Sequence, residues 1–245
     1  MRPQCLLALW LLSAAARAAT LLGGIAPPYV LSDAPAQGFA IAVMQEAAQR
    51  LGQPLQIAVQ PLNRVLTIGS AQARALIVPP CRTPQREPLL RWVAPLVDEE
   101  FLLIRLPSQS AGKPLSNGAH IGVVRDSVGL ELARQLPGAT IELAGDEVIN
   151  ARKLAAGHID AWLAAWNSAR YAQRQAGLPA DGLQRGQVLL RCTTYLAATL
   201  NLPETDLAPW RRAIDAMRLD GSLQKLAKRY AIVTPTRLPP AETAH

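Results

Sequence analysis

One alternation limits the fold of this chain more than any other feature. A short apolar run is followed by an amphipathic stretch and then by another apolar run, and the whole series occurs twice. In the first series Thr20 to Ile25 reads as a strand, broken by Ala26-Pro27-Pro28-Tyr29. Gly38 opens a helix in which Phe39, Val43, Ala47 and Leu51 recur four apart, the spacing of one helical face, and Gly52 stops it. Leu55 to Val59 is a second strand, Leu62 to Gln72 a helix weakened by Gly69, and Ala75 to Val78 a third strand.

The second series starts with a strand from His120 to Val124. A helix follows, capped by Ser127, with inner face Val128, Leu132 and Leu136. Thr140 to Leu143 is a strand, and Asp146 caps a helix that stops at Gly157. Ile159 to Ala164 is a strand and Asn167 to Ala176 a helix. Such alternation implies parallel sheets flanked by helices, hence two α/β lobes.

Trp92 to Pro95, Glu99 to Leu106 and Val188 to Leu200 are extended apolar segments between the lobes, and the turn-rich Pro107 to Asn117 marks a boundary. Asp206 to Leu219 and Ser222 to Tyr230 read as closing helices. The expected organisation is a leader at 1–18, lobe one at 19–106, lobe two at 107–187, a return to lobe one at 188–233 and a flexible tail at 234–245. Two lobes joined by extended crossings suggest a hinged clamp that buries a ligand on closing.

The leader carries its own signature. Arg2 precedes an apolar run from Cys5 to Ala16, and Ala16-Arg17-Ala18 is a small-x-small site, so a secretory signal peptide with cleavage after Ala18 is expected. The run is too short to span a bilayer. Cys5 lies at its start, which argues against a lipid-anchored cysteine. Roughly 225 residues then remain, enough for one large domain or two small ones. Losing Arg2 and Arg17 takes the formal net charge from +7 to +5. The arginines are scattered and few aromatics interleave with them. That favours acidic small molecules or an anionic envelope surface over nucleic acid as partners. Cys81 and Cys192 remain, and an exported chain can oxidise such a pair, though the sequence leaves open whether they meet. No Cys/His spacing suggests a metal or a cofactor.

In an open α/β sheet, ligands bind at the carboxyl ends of the strands. Cys81-Arg82-Thr83-Pro84-Gln85-Arg86-Glu87 sits at such an end, just after the third strand. Two arginines and a threonine there can hold an anion, since the planar guanidinium matches a carboxylate bidentately. The plainer alternative makes Arg82 and Arg86 solvated loop charges, with Arg86 paired to Glu87. Tyr29 reads either as a ring at the cleft mouth or as one half-buried on the prolines.

An ordered set of segments resembles the periplasmic solute-binding protein family that includes the polar amino acid receptors of ABC importers. The segments are Ala26-Pro27-Pro28-Tyr29; Gly38 with its helix to Gly52; Arg82 to Glu87 followed by Trp92 and Pro95; Ile121 to Ser127; Lys153 to Ala161; and Leu219-Asp220-Gly221-Ser222 with Lys228-Arg229-Tyr230. The resemblance implies a two-lobed, type II periplasmic-binding-protein-like α/β clamp, each lobe a mostly parallel sheet flanked by helices. It implies a monomeric, periplasmic protein that hands a small molecule to a membrane partner. Arg86 matches the arginine that grips a ligand carboxylate. Thr83 and Cys81 lie on the loop that lends hydroxyl and backbone contacts. Ser127 matches the lobe-two helix start that offers N–H groups to the same carboxylate, and is equally a plain helix cap.

Several positions depart from the family pattern. The carboxylate expected to hold a ligand ammonium is replaced by Ala165, followed by Trp166 and Asn167. Val128 stands beside Ser127, Ala26 where an aromatic stacks, and Arg74 where an acid begins the strand. An unpaired ammonium is costly to bury. The expected ligand is therefore an anion or carboxylate, amino-acid-like or an organic acid, with an aromatic or apolar body against Tyr29 or Trp166. Arg64, Arg82, Arg125 and Asn167 complete the candidate ligand set.

Catalysis is not expected. His120 begins a strand, His158 precedes one and His245 is in the tail, while no Gly-x-Ser-x-Gly elbow occurs. Asp98-Glu99-Glu100 lies past the lobe-one motif, so a raised-pKa general acid there is unsupported. The alternatives are a ligand sensor for a membrane receptor and, less favoured, a dehydratase-like enzyme.

Overall fold

The computed structural model describes residues 18–69, 74–110, 115–179 and 181–234. All but the last residue of the expected leader lies outside these, as does all but the first residue of the expected tail. Among the described residues eight strands, numbered in chain order, form one sheet in the order β2-β1-β3-β8-β4-β7-β5-β6. At one end β1 (Ala19–Ile25) pairs in parallel with β2 (Leu55–Pro61) and with β3 (Leu76–Val78). At the other, β5 (His120–Val124) pairs in parallel with β6 (Thr140–Ala144) and β7 (Ala161–Ala165). Between them run the two long strands β4 (Arg91–Arg105) and β8 (Gln184–Ala198), antiparallel to each other.

Period-two alternation explains why neighbouring residues of one strand serve different cores. Leu21 packs with Phe39 and Met44 of α1 (Phe39–Leu51) and with Trp210 and Ile214 of α7 (Glu204–Leu219). Leu22 packs on the opposite face with Val65 of α2 (Leu62–Gly69) and with Ile77. In the second lobe Leu102 and Ile104 join Trp162 and Leu154 of α5 (Glu147–Ala155), with Ala169 of α6 (Trp166–Gln175). Leu103 turns the other way, to Val123 and to Leu130 of α4 (Val128–Ala133). Each fully buried side chain of this kind contributes about 1.5–3 kcal/mol.

Val93, Ala94, Leu96 and Val97 of β4 belong to the first-lobe core, while Leu102 and Ile104 belong to the second. The long strands thus carry the chain from lobe to lobe, and the two extended segments expected around residues 92–106 are one continuous strand. A four-residue helix, α3 (Pro107–Ser110), opens the turn-rich stretch. The helix expected from Leu62 is seen to Gly69, and its expected last turn lies outside the described residues. The last helix, α8 (Ser222–Arg229), packs beside α1 and α7.

Candidate functional site between the lobes

The loop after β3 is fastened to β8 before it presents its arginine. Tyr195 donates its backbone N–H to Pro80 and Arg82 donates to Thr193, both at 3.0 Å. Cys81 and Cys192 form a disulfide with Cα atoms 5.9 Å apart. The Thr83 carbonyl then accepts from the backbone N–H groups of Arg86 and Glu87, each at 3.0 Å, closing a turn. Thr83 itself is half-buried.

The two arginines of this loop divide their roles. Arg82 is exposed, ion-pairs with Glu87 (Nε to Oε2 2.8 Å) and lies 5.5 Å from the ring centres of both Trp92 and Tyr195. Glu87 is therefore the partner of Arg82, and the alternative that paired it with Arg86 is corrected. Arg86 is half-buried, and its Nη1 donates at 3.4 Å to the Cys81 carbonyl. Among the described residues no carboxylate stands within ion-pair distance of Arg86. Burial pushes its guanidinium pKa below the ordinary value, and Glu131 of α4, in the opposite lobe, partly offsets this.

On the β1 side, Gly38 sets the position of Tyr29. Its φ of +122° is poorly open to other residues, and a Cβ there would come within 2.4 Å of the Tyr29 carbonyl. The first N–H groups of α1 are taken by that loop: Phe39 donates to Pro28 at 3.0 Å and Ala40 to Tyr29 at 2.9 Å. Tyr29 is only 3 % exposed and packs edge-on to Phe39. It is neither at a cleft mouth nor half-buried. Its hydroxyl donates to Glu99 and accepts from Asn167 Nδ2 at 3.2 Å. Asn167 Nδ2 also reaches Glu99 Oε2 at 3.0 Å. Burial raises the Glu99 pKa, opposed by the bonds from Tyr29, the Glu100 backbone and Asn167. Burial, then Glu99, raises the Tyr29 phenol well above its ordinary value.

Neither a protein-family model nor a curated protein sequence matches the chain. Solved structures do. An ancestral arginine-binding protein bound to arginine is 17% identical with a TM-score of 0.73, over 88% of this chain and 99% of that one. A histidine kinase sensor domain with similarity to periplasmic binding proteins is 16% identical with a TM-score of 0.73, over 89% and 98%. The GluR0 ligand-binding core in complex with L-glutamate is 15% identical with a TM-score of 0.76, over 88% and 99%. The chain has the two-lobed periplasmic-binding-protein fold.

The remaining candidates take distinct places in this periplasmic-binding-protein fold. Ser127 caps α4: its Oγ accepts from Leu130 N at 3.1 Å and donates to the Val124 carbonyl at 2.7 Å. Trp166, at the start of α6, is half-buried beneath the Arg185 guanidinium, 4.6 Å from its ring centre. Arg185 and Arg191 flank the buried carboxylate of Glu100. Arg64 and Arg125 are exposed and make no ion pair among the described residues. Asn167 is 2 % exposed and fully engaged with Tyr29, Glu99 and Val233, so it is an inter-lobe bond and not an open ligand contact.

The sequence shows no sign of a role for Glu131 or Glu147, and marks Glu99 only as the middle of an acidic triplet. Three consecutive acids inside an apolar extended stretch were a signal for Glu99, because alternation turns the middle one away from its neighbours. Burial makes Glu99 a raised carboxyl near the lobe junction, but one bonded to Tyr29 and Asn167. Glu147 reads as an ordinary first-turn acid after the Asp146 cap. It accepts from the Trp162 indole at 2.7 Å and from Asn150 Nδ2 at 3.3 Å, and burial pushes it up to about 7. A separate cavity of 690 Å³ opens beside Ala119 and Ile121, toward the end of β5 opposite to Ser127. Among the described residues no cluster of His, Cys, Asp and Glu suits a metal ion, and no helix is long and apolar enough to cross a membrane.

Proposed function

We propose that this protein captures a small anionic or carboxylate-bearing solute between its lobes and delivers it, as an exported periplasmic receptor, to an ABC importer. The observation that carries the reading is Arg86, a half-buried guanidinium with no acid in ion-pair distance among the described residues. A cation held out of water without a partner is unfavourable, and an incoming carboxylate supplies the missing charge. Thr83 opens the turn that carries Arg86, and the charge of Glu131 in the opposite lobe acts on that guanidinium.

The ligand's other end meets little acid. Ala165 stands where an ammonium partner is expected, and Glu99 is enclosed by Tyr29 and Asn167. An organic acid, or an amino-acid-like carboxylate with a weakly paired amine, fits this better than an ordinary α-amino acid. A second reading, a sensor that presents its closed form to a membrane receptor, is favoured by the likeness to a kinase sensor domain. Both readings share the binding step. A dehydratase-like activity is the least supported, since Glu99, a raised carboxyl at the junction, is already bonded to Tyr29, Asn167 and the Glu100 backbone.

A thermal-shift screen of the purified protein against organic acids, amino acids and amines tests the proposal. Stabilisation by carboxylates and not by amines supports it. Stabilisation by amines alone contradicts it.

A further inference from the structure

Val233 and Asn167 exchange two hydrogen bonds. The backbone N–H of Val233 donates to Asn167 Oδ1 at 2.8 Å, and Asn167 Nδ2 donates to the Val233 carbonyl at 3.0 Å. A side-chain amide here reads both backbone groups of one residue, as a neighbouring strand would. We propose that the segment Ala231–Val233 is a strap that ties the two lobes together in the closed arrangement and regulates access to the site described above.

The strap has an anchor in each lobe. Ile232 is 8 % exposed and belongs to the first-lobe core, and its N–H donates to Ala227 at the end of α8 at 2.9 Å. Ala231, with φ of +53°, turns the chain out of that helix end. Two residues further on, at Val233, the backbone is bonded to the first turn of α6, which is set in the second-lobe core through Ala169 and Ala172. Arg170 adds a longer bond to the Ala231 carbonyl at 3.4 Å, and Ser168 Oγ donates to the Pro27 carbonyl of the first lobe at 2.6 Å.

Separating the lobes draws the first turn of α6 away from both the strap and the loop at Pro27. The Asn167 amide is buried, so its bonds are not exchanged for water until the lobes part. Contacts made only in the closed arrangement shift the population toward it. For a ligand entering an open cleft, the strap lowers the competent fraction and so sets the apparent affinity.

The test needs no ligand. Val233 is 42 % exposed, so its side chain can be changed at little cost. Val233→Pro removes the donated N–H, and Val233→Ala keeps it. Spin labels at Gln49→Cys on α1 and Arg152→Cys on α5, in a Cys5→Ser background with the 81–192 disulfide intact, report the inter-lobe distance by double electron–electron resonance. Wild type and Val233→Ala should give matching distributions. Val233→Pro should raise the ratio of long to short distances about two- to tenfold, the effect of one lost hydrogen bond. Asn167→Ala, which removes the partner from the other side and guards against a misfolded proline variant, should shift the ratio the same way and further. Distributions for both variants that superimpose on wild type would overturn the strap. That outcome leaves a carboxylate site at Arg86 standing, whereas a failed carboxylate screen leaves the strap standing.

Discussion

Tyr29 and Glu99 lie 70 positions apart in sequence, yet the phenol hydroxyl donates to the carboxylate in the interior of the protein. Asn167 of the second lobe bonds to both. Removing the hydroxyl leaves a buried carboxylate with one donor fewer. Tyr29→Phe should destabilise by about 1–3 kcal/mol, read from urea unfolding. The pH dependence has a definite sign. Because the folded pKa of Glu99 is raised, its contribution is full below the ordinary carboxylate range and is lost as pH rises through the folded value. Loss of the Tyr29 bond raises that value further, so the deficit of Tyr29→Phe should grow as pH rises through the folded value of Glu99. A deficit that stays the same across the whole pH range of folding would show that Glu99 is not the group concerned.

Glu147 supplies a second titration. Its folded pKa of about 7 exceeds the ordinary 4.5, so the folded state binds the proton more tightly. Stability from this group is present below about pH 4.5 and falls until about pH 7, by on the order of 3 kcal/mol. Glu147→Gln should flatten that part of the stability profile. The Trp162 indole donates to this carboxyl, so tryptophan emission should titrate in the wild type with a midpoint that the variant lacks.

The disulfide joins residues separated by 111 positions, and both cysteines are buried. Breaking it releases a long loop in the unfolded chain. Cys81→Ser with Cys192→Ser should lower stability by about 2–4 kcal/mol, measured by guanidinium unfolding. Thiol titration of the unreduced, unfolded protein should find neither of these two sulfurs free.

Gly38→Ala places a methyl against the Tyr29 carbonyl in a backbone conformation that alanine avoids. The loss should exceed that of an ordinary surface glycine, more than about 1 kcal/mol. It should also loosen the Tyr29 loop, seen as faster amide exchange at Phe39 and Ala40.

Much of the fold was legible because local pattern and tertiary packing agree. The four-residue recurrence of Phe39, Val43, Ala47 and Leu51 between two glycines gave the bounds of α1, and β5 matched its apolar run. The site was less legible. Arg82 and Arg86 look equivalent in sequence, and only the fastening of Arg82 N to Thr193 and the aromatic pair Trp92–Tyr195 decides which one turns outward to Glu87. Asn167 carried no signal that its partners lie 68 and 138 positions away. Long-range polar bonds leave no periodicity behind, whereas apolar faces do.

In the proposed function Arg86 holds the ligand's negative group. Isothermal calorimetry of wild type and Arg86→Ala, with the best carboxylate from the screen, tests it most directly. The variant should lose about 2–5 kcal/mol of binding free energy, while its ligand-free melting temperature stays level or rises because an unpaired, half-buried cation is gone. Affinity unchanged on removal of the guanidinium would contradict the account.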